Sequence, residues 1–172
     1  MKSICCVALP DDAPEGGLER FLWDYLNPYY IELEVPPYKH FHGTEEDAAD
    51  IARLRGFASV DELAQDMDDD EGVDGGRVFY IATNNPDGRW DWFIVQRVCA
   101  AEELTETYPH SVVSREGVWS SGGDYGYSPR KDWEQGGVHP DNEEPRRLWK
   151  LFLRTFFDEH ATCRFAVLMV HS

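Results

Sequence analysis

Apolar and polar residues alternate in two regimes along this chain. From Arg77 to Val98 the pattern is that of strands: Val78–Thr83 and Trp90–Val98 are β-branched and aromatic runs around the polar pentapeptide Asn84-Asn-Pro-Asp-Gly88. That pattern predicts a β-hairpin with a medium loop. On its second run Trp90, Trp92, Ile94 and Val98 share one face, and Phe93 and Val95 the other, as in a central strand covered on both sides or a sheet with a binding face. Near the start, Leu18, Phe21, Leu22, Tyr25 and Leu26 fall at helical spacing, and Asn27-Pro28 ends the stripe. The wide stripe Leu148, Trp149, Leu151, Phe152, Phe156 and Phe157 predicts a last helix opened by Asn142-Glu-Glu-Pro145.

Ser3–Leu9 and Thr162–Val170 are short apolar runs and predict a first and a closing strand. Between the first helix and the hairpin, Tyr29–Phe41 contains Pro36-Pro37 and is expected to be extended and irregular rather than helical. Thr44-Glu-Glu-Asp47 and Ser59-Val-Asp-Glu62 look like two helix starts, the second with capping-box spacing, and a short helix through Met67 should bury Val60, Leu63 and Ala64. Asp66–Asp74 is then an acidic run ending at Gly75-Gly76, and Ser120–His139 reads as an exposed loop. The resulting order is β-α-β-β-α-β, an α+β fold of ferredoxin-like type. It has a helical insertion at about 30–76 and a long loop insertion at about 100–141, all in one domain over residues 1–172. One mixed sheet would carry both core helices on the same face.

Charge changes the functional picture more than the fold. The net charge is −17, and residues 1–76 alone hold 19 acidic and 5 basic side chains. Such a balance repels nucleic-acid phosphates and anionic membranes and attracts basic partners. No apolar run approaches the roughly 20 residues of a membrane helix. Four cysteines, two of them adjacent, do not suggest a disulfide scaffold, and a cytoplasmic setting with reduced thiols is expected.

Leu33-Glu-Val-Pro-Pro-Tyr38 and Asn85-Pro-Asp-Gly-Arg-Trp-Asp-Trp92, with a closing strand that ends near His171, resemble a family of small bacteriophage and mobile-element proteins that carry an NPxxKWDWY segment. The family's following GGRW segment is replaced here by Phe93-Ile-Val-Gln-Arg-Val98. The resemblance implies a phage-associated context and no catalytic residues.

Several constellations invite chemistry. The acidic run Asp66–Asp74 fails the EF-hand pattern, with Glu71 where glycine and Arg77 where the bidentate glutamate would stand. His40 and His42 have usable metal spacing, but their partners would have to be distant, Cys163 or His171. Neither Cys99 with His110 nor Cys5 or Cys6 with a histidine lies in a nucleophile motif. Gly122-Gly-Asp-Tyr-Gly126 and Gly136-Gly137 lack the lysine of a phosphate loop. Asp91, between two tryptophans, would have a raised pKa if buried, and otherwise reads as a strand-end aspartate bonded to Arg89 or to backbone. No metal, cofactor or catalytic residue is expected.

The leading expectation is a non-enzymatic phage-type accessory protein. Its acidic face, formed by Glu45, Glu46, Asp47, Asp50, Asp61, Glu62, Asp66, Asp68, Asp69 and Asp70, would bind a basic protein surface. That surface could belong to a nucleic-acid-binding defence complex, which the protein would inhibit as an anti-CRISPR or nucleic-acid mimic does. The loop aromatics Trp119, Tyr125, Tyr127 and Trp133 are the second candidate contact surface. The alternative is a small enzyme or metal protein using Trp90, Asp91, Trp92 and the histidines.

Overall fold

The computed structural model describes residues 2–41, 47–104 and 107–171, with the side chain of Asp47 excepted. In chain order the elements are β1 (Lys2–Ala8), α1 (Leu18–Leu26), β2 (Tyr38–Phe41), α2 (Asp47–Arg55), α3 (Val60–Gln65), β3 (Glu71–Asp74), β4 (Arg77–Ala82), β5 (Trp92–Ala100), β6 (Ser111–Val113), β7 (Trp119–Ser121), α4 (Pro129–Gln135), α5 (Glu143–Glu159) and β8 (Arg164–His171). The chain forms two compact units, Met1–Leu33 with Pro86–Ser172, and Glu34–Asn85.

The larger unit is a five-stranded mixed sheet in the order β5-β8-β1-β6-β7. Only β1 and β6 run parallel; the other neighbours are antiparallel. β1 is apolar on both faces because it lies between β8 and β6 and is covered on both sides. Cys6 and Ala8 face one cluster with Phe165, Val167, Trp149, Leu153 and Phe156. Cys5 and Val7 face another with Ala166, Leu168, Leu22, Leu26 and Trp90. α5 and α1 therefore cover opposite faces of the sheet.

Two buried tryptophans tie the layers together, each with its indole N–H satisfied as burial requires. Trp90 donates to Leu26 O at 3.0 Å, and Trp149 donates to Pro109 O at 3.0 Å. Between Val95 and Arg97 the register of β5 against β8 shifts by one residue. This bulge at Gln96 changes which face each later side chain occupies. It breaks the simple alternation, and Ile94 and Val98 stand 48% and 42% exposed.

The smaller unit has a three-stranded sheet, β2-β4-β3, with α2 and α3. Asp74 pairs with Arg77, so Gly75 and Gly76 are the two turn residues; φ is 58° and 78°. Two consecutive left-handed residues make the tight turn whose twist matches a hairpin, and glycine adopts it without a Cβ clash. α3 starts at Ser59, whose Oγ accepts from Glu62 N, while the Glu62 carboxylate accepts from Ala58 N. Ala48, Ala52, Leu63 and Val78 form the core.

The α+β class holds, and the ferredoxin-like arrangement does not. Val78–Thr83 and Trp90–Val98 do not pair: β4 belongs to the small sheet and β5 to the large one. β4 instead uses the tighter Gly75-Gly76 turn to pair with β3. The segment expected as a helical insertion contains two strands, β2 and β3, as well as two helices. Tyr29–Phe41, expected to be extended and irregular, ends in β2, and the acidic run supplies β3. The expected loop at 120–139 contains part of β7 and all of α4. α3 ends at Gln65 with Ala64 exposed, and Ile81 is 38% exposed.

Candidate functional site

Four places are able to carry function, and each follows from an element just described. The first is the acidic segment of the 34–85 unit. Asp61 and Glu62 occupy the first turn of α3, and Asp66, Asp68, Asp69 and Asp70 lie between that helix and β3; all are exposed. Glu62 is engaged in the cap, so it is the least available of the six. Asp50 on α2 is paired with Arg53 at 2.8 Å, and Lys39 with Asp74. The lysine holds the Asp74 carboxyl below the usual range, chiefly by its hydrogen bond. Among the described residues, no ion pair involves Asp61, Asp66, Asp68, Asp69 or Asp70. Glu45 and Glu46 lie outside the described residues, and Asp47 opens α2.

The second place is the end of the large sheet where β5 begins and β8 stops. Asp91 N donates to His171 O at 3.0 Å. His171 Nδ1 lies 2.8 and 3.0 Å from the two carboxylate oxygens of Asp91. Trp92, the register partner of His171, stacks on its ring at 5.5 Å with planes 3° apart, and Lys2 Nζ is 5.6 Å from the Trp92 ring centre. The Asp91 carboxyl is held below its ordinary pKa, first by the hydrogen bond from His171. A raised value is expected only of a buried carboxylate here; partial exposure and a histidine partner give the opposite sign. The aspartate, which sequence alone would bond to Arg89 or backbone, binds a histidine 80 positions away.

The third place is a cleft of about 490 Å³ in the larger unit, lined among others by Arg89, His110, Ser111, Trp119, Gly122 and Tyr127. His110 Nδ1 accepts from Ile4 N at 3.3 Å, which leaves the ring proton on Nε2. Burial lowers the pKa of this imidazole, favouring the neutral form. Among the described residues that line it there is no carboxylate. Gly122 is there for packing: a Cβ would stand 2.8 Å from the Tyr127 ring.

The fourth is the loop of aromatics, and the structure disperses it. Trp119 lies in β7 against Tyr29 at 5.5 Å, Tyr125 packs on Trp149 and Phe152, and Tyr127 is buried. Only Trp133, on α4, is strongly exposed, at 81%. Trp119, Tyr125 and Tyr127 therefore cover the core instead of forming an exposed contact loop.

The remaining constellations come apart. Cys5, Cys6, Cys99 and Cys163 are buried and free. Burial pushes the Cys5 thiol up to about 12 and raises Cys6 and Cys99, the reverse of an activated nucleophile. Cys99 is level with Phe165 on the sheet and His110 with Ile4, so they lie at different ends. Cys163 precedes β8 and His171 ends it, which separates those two proposed ligands by the length of the strand. His40 packs on Tyr80, and His42 lies outside the described residues. Among the described residues, no group of three or more His, Cys, Asp or Glu side chains could hold a metal ion. No helix among them is long and apolar enough to cross a membrane. No protein-family model, curated protein or solved structure matches the chain.

Proposed function

We infer that this protein acts by binding, and that the acidic segment Asp61–Asp70 is the surface with which it engages a basic protein partner. The observation that carries this reading is the distribution of cations within the 34–85 unit. Lys39 and Arg53 serve Asp74 and Asp50, while Asp61, Asp66, Asp68, Asp69 and Asp70 are exposed without an ion-pair partner among the described residues. Five carboxylates on one short helix and the turn after it set up a local negative field that steers a cationic surface into contact. The phage-type resemblance of Asn85–Trp92 suggests the setting, a host complex whose nucleic-acid channel is basic, which such a row of carboxylates would occupy in place of phosphates.

The enzymatic alternative has one observation in its favour, the Asp91–His171 pair. The same pair closes the end of the sheet through a backbone hydrogen bond and a ring stack, and this clasp role accounts for its geometry. A pull-down from host lysate, followed by a salt titration of the partner it captures, tests the binding reading. Affinity should fall steeply with ionic strength, because screening acts on exposed charges. A salt-independent affinity would contradict it.

A further inference from the structure

The outer face of α5 is the opposite of the acidic segment. Arg147, Lys150, Leu151 and Arg154 are exposed and follow one another at i, i+3, i+4 and i+7, so they share one side of the helix. The inner side is committed to the core through Trp149, Leu153 and Phe156. Leu151 is 55% exposed and Leu148 37%. Beside this ridge lies a depression of about 430 Å³. Leu104, Tyr108, Leu153 and Phe157 supply its apolar wall, and Lys150, Arg154 and Asp158 its charged rim. A second, shallower dent of about 270 Å³ is lined by Arg147, Lys150, Leu151 and Arg154. Lys150 Nζ stands 5.5 Å from the Tyr108 ring centre, so the cation and the apolar wall belong to one surface. Arg147 shares its charge with Glu144 at 2.6 Å, which leaves Lys150 and Arg154 as the main cations of the groove.

We propose that this groove on α5 binds an acidic peptide segment of a partner protein, with one apolar side chain of the segment seated in the Leu104/Tyr108/Leu153/Phe157 depression and its carboxylates on Lys150 and Arg154. The combination selects the class. A helix face with cations at one-turn spacing beside an apolar pocket matches an amphipathic acidic segment, whose anchor and charges recur at the same period. Nucleic acid needs a longer basic track and aromatic faces to stack on. An anionic membrane would meet the repulsion of the whole chain at −17. A peptide avoids most of that repulsion, because charges beyond about 8 Å are screened at physiological salt. This surface is independent of the acidic segment of the 34–85 unit, so either can fail without the other.

The test uses the full chain and fluorescence anisotropy with a short labelled peptide of Asp and Glu residues around a single Phe. Its companions are the same peptide with Phe replaced by Ser, a labelled oligothymidylate and phosphatidylglycerol vesicles. The Phe peptide should bind, and the Ser peptide should bind at least several-fold more weakly. The variant K150E/R154E, checked for native circular dichroism, should lose about tenfold or more in affinity because both rim charges are reversed. Equal binding by the variant, or no binding of the Phe peptide, overturns the proposal. So does binding of the oligonucleotide or the vesicles in preference to the peptide, or self-association of the wild type that the variant abolishes.

Discussion

The 34–85 unit and the rest of the chain divide two jobs that small proteins usually combine. The smaller unit carries 13 acidic and 4 basic side chains in 52 residues. The larger carries 20 and 12 in 120. Core size runs the other way. Among the described residues the larger unit buries two clusters of thirteen and twelve side chains, with two tryptophans among them, and the smaller buries Ala48, Ala52, Leu63 and Val78. Small units bury a smaller fraction of their surface and gain less from it. Charge without counter-charge further lowers the stability of a compact state. An excess of carboxylates on the less buried unit is therefore a cost that solubility alone does not require at that place, and this is the physical reason to read it as a surface for something else.

The largest effect should come from the larger core. Trp149→Ala removes a fully buried indole and leaves Pro109 O without its donor. It should cost about 3–5 kcal/mol by denaturant titration. A loss under about 1 kcal/mol, the range of a surface change, would break the contrast between the units.

Next is Leu63→Ala, which empties the centre of the small core. It should cost about 2–5 kcal/mol, within the range for buried leucines. Hydrogen exchange then sharpens the comparison. Faster exchange in 60–82 alone would make the small unit a separate cooperative element, and uniform acceleration would make the chain a single one.

Gly76→Ala should cost about 1–2 kcal/mol, the penalty of a left-handed Cβ, because φ there is 78°. It should act on the β3–β4 hairpin, and unchanged stability would mean that this turn is not needed to hold the hairpin.

The smallest effect is a pH dependence in the larger unit. The Asp91 carboxyl is held low by His171, so its contribution is present above the unfolded aspartate pKa of about 4 and is lost as pH falls through the folded value. Asp91→Asn should leave stability falling less steeply below about pH 4 than in the wild type. Parallel acid limbs in the two proteins would show that the clasp does not couple to protonation.

These elements differ in how far the sequence discloses them. α1 and α5 are marked by local periodicity, β1 and β8 by short apolar runs, and the ends of α1 by Gly17 and Asn27-Pro28. The pairing of β4 is not local. Asn84–Gly88 is a good turn sequence between two good strands, but Gly75-Gly76 makes a tighter turn, and β4 pairs across that one. The acidic composition of Glu71–Asp74 conceals β3, the strand that pairs with β4, whose first three residues are half-buried and whose last is exposed. β6 and β7 have three residues each, too few to show a period. At the sites, the acidic row is legible because exposure follows from charge. The Asp91–His171 contact spans 80 residues and has no local signal beyond two tryptophans bracketing a carboxylate. The aromatics Trp119, Tyr125 and Tyr127 mislead because glycine and serine around them imitate an open loop while their rings complete two cores.

The association rate with the captured partner tests the central claim most directly. The comparison is between the wild type and a chain with Asp61, Asp68, Asp69 and Asp70 changed to Lys, leaving Asp47, Glu62 and the cap residues of α3, Ser59 and Asp66, in place. Surface changes of this kind shift stability by about 0.5 kcal/mol or less each, so the fold should be retained. The account predicts an association rate lower by at least about tenfold at low salt, a difference that shrinks as salt rises, and a dissociation rate that changes less. An unchanged association rate from a folded, charge-reversed chain would contradict it.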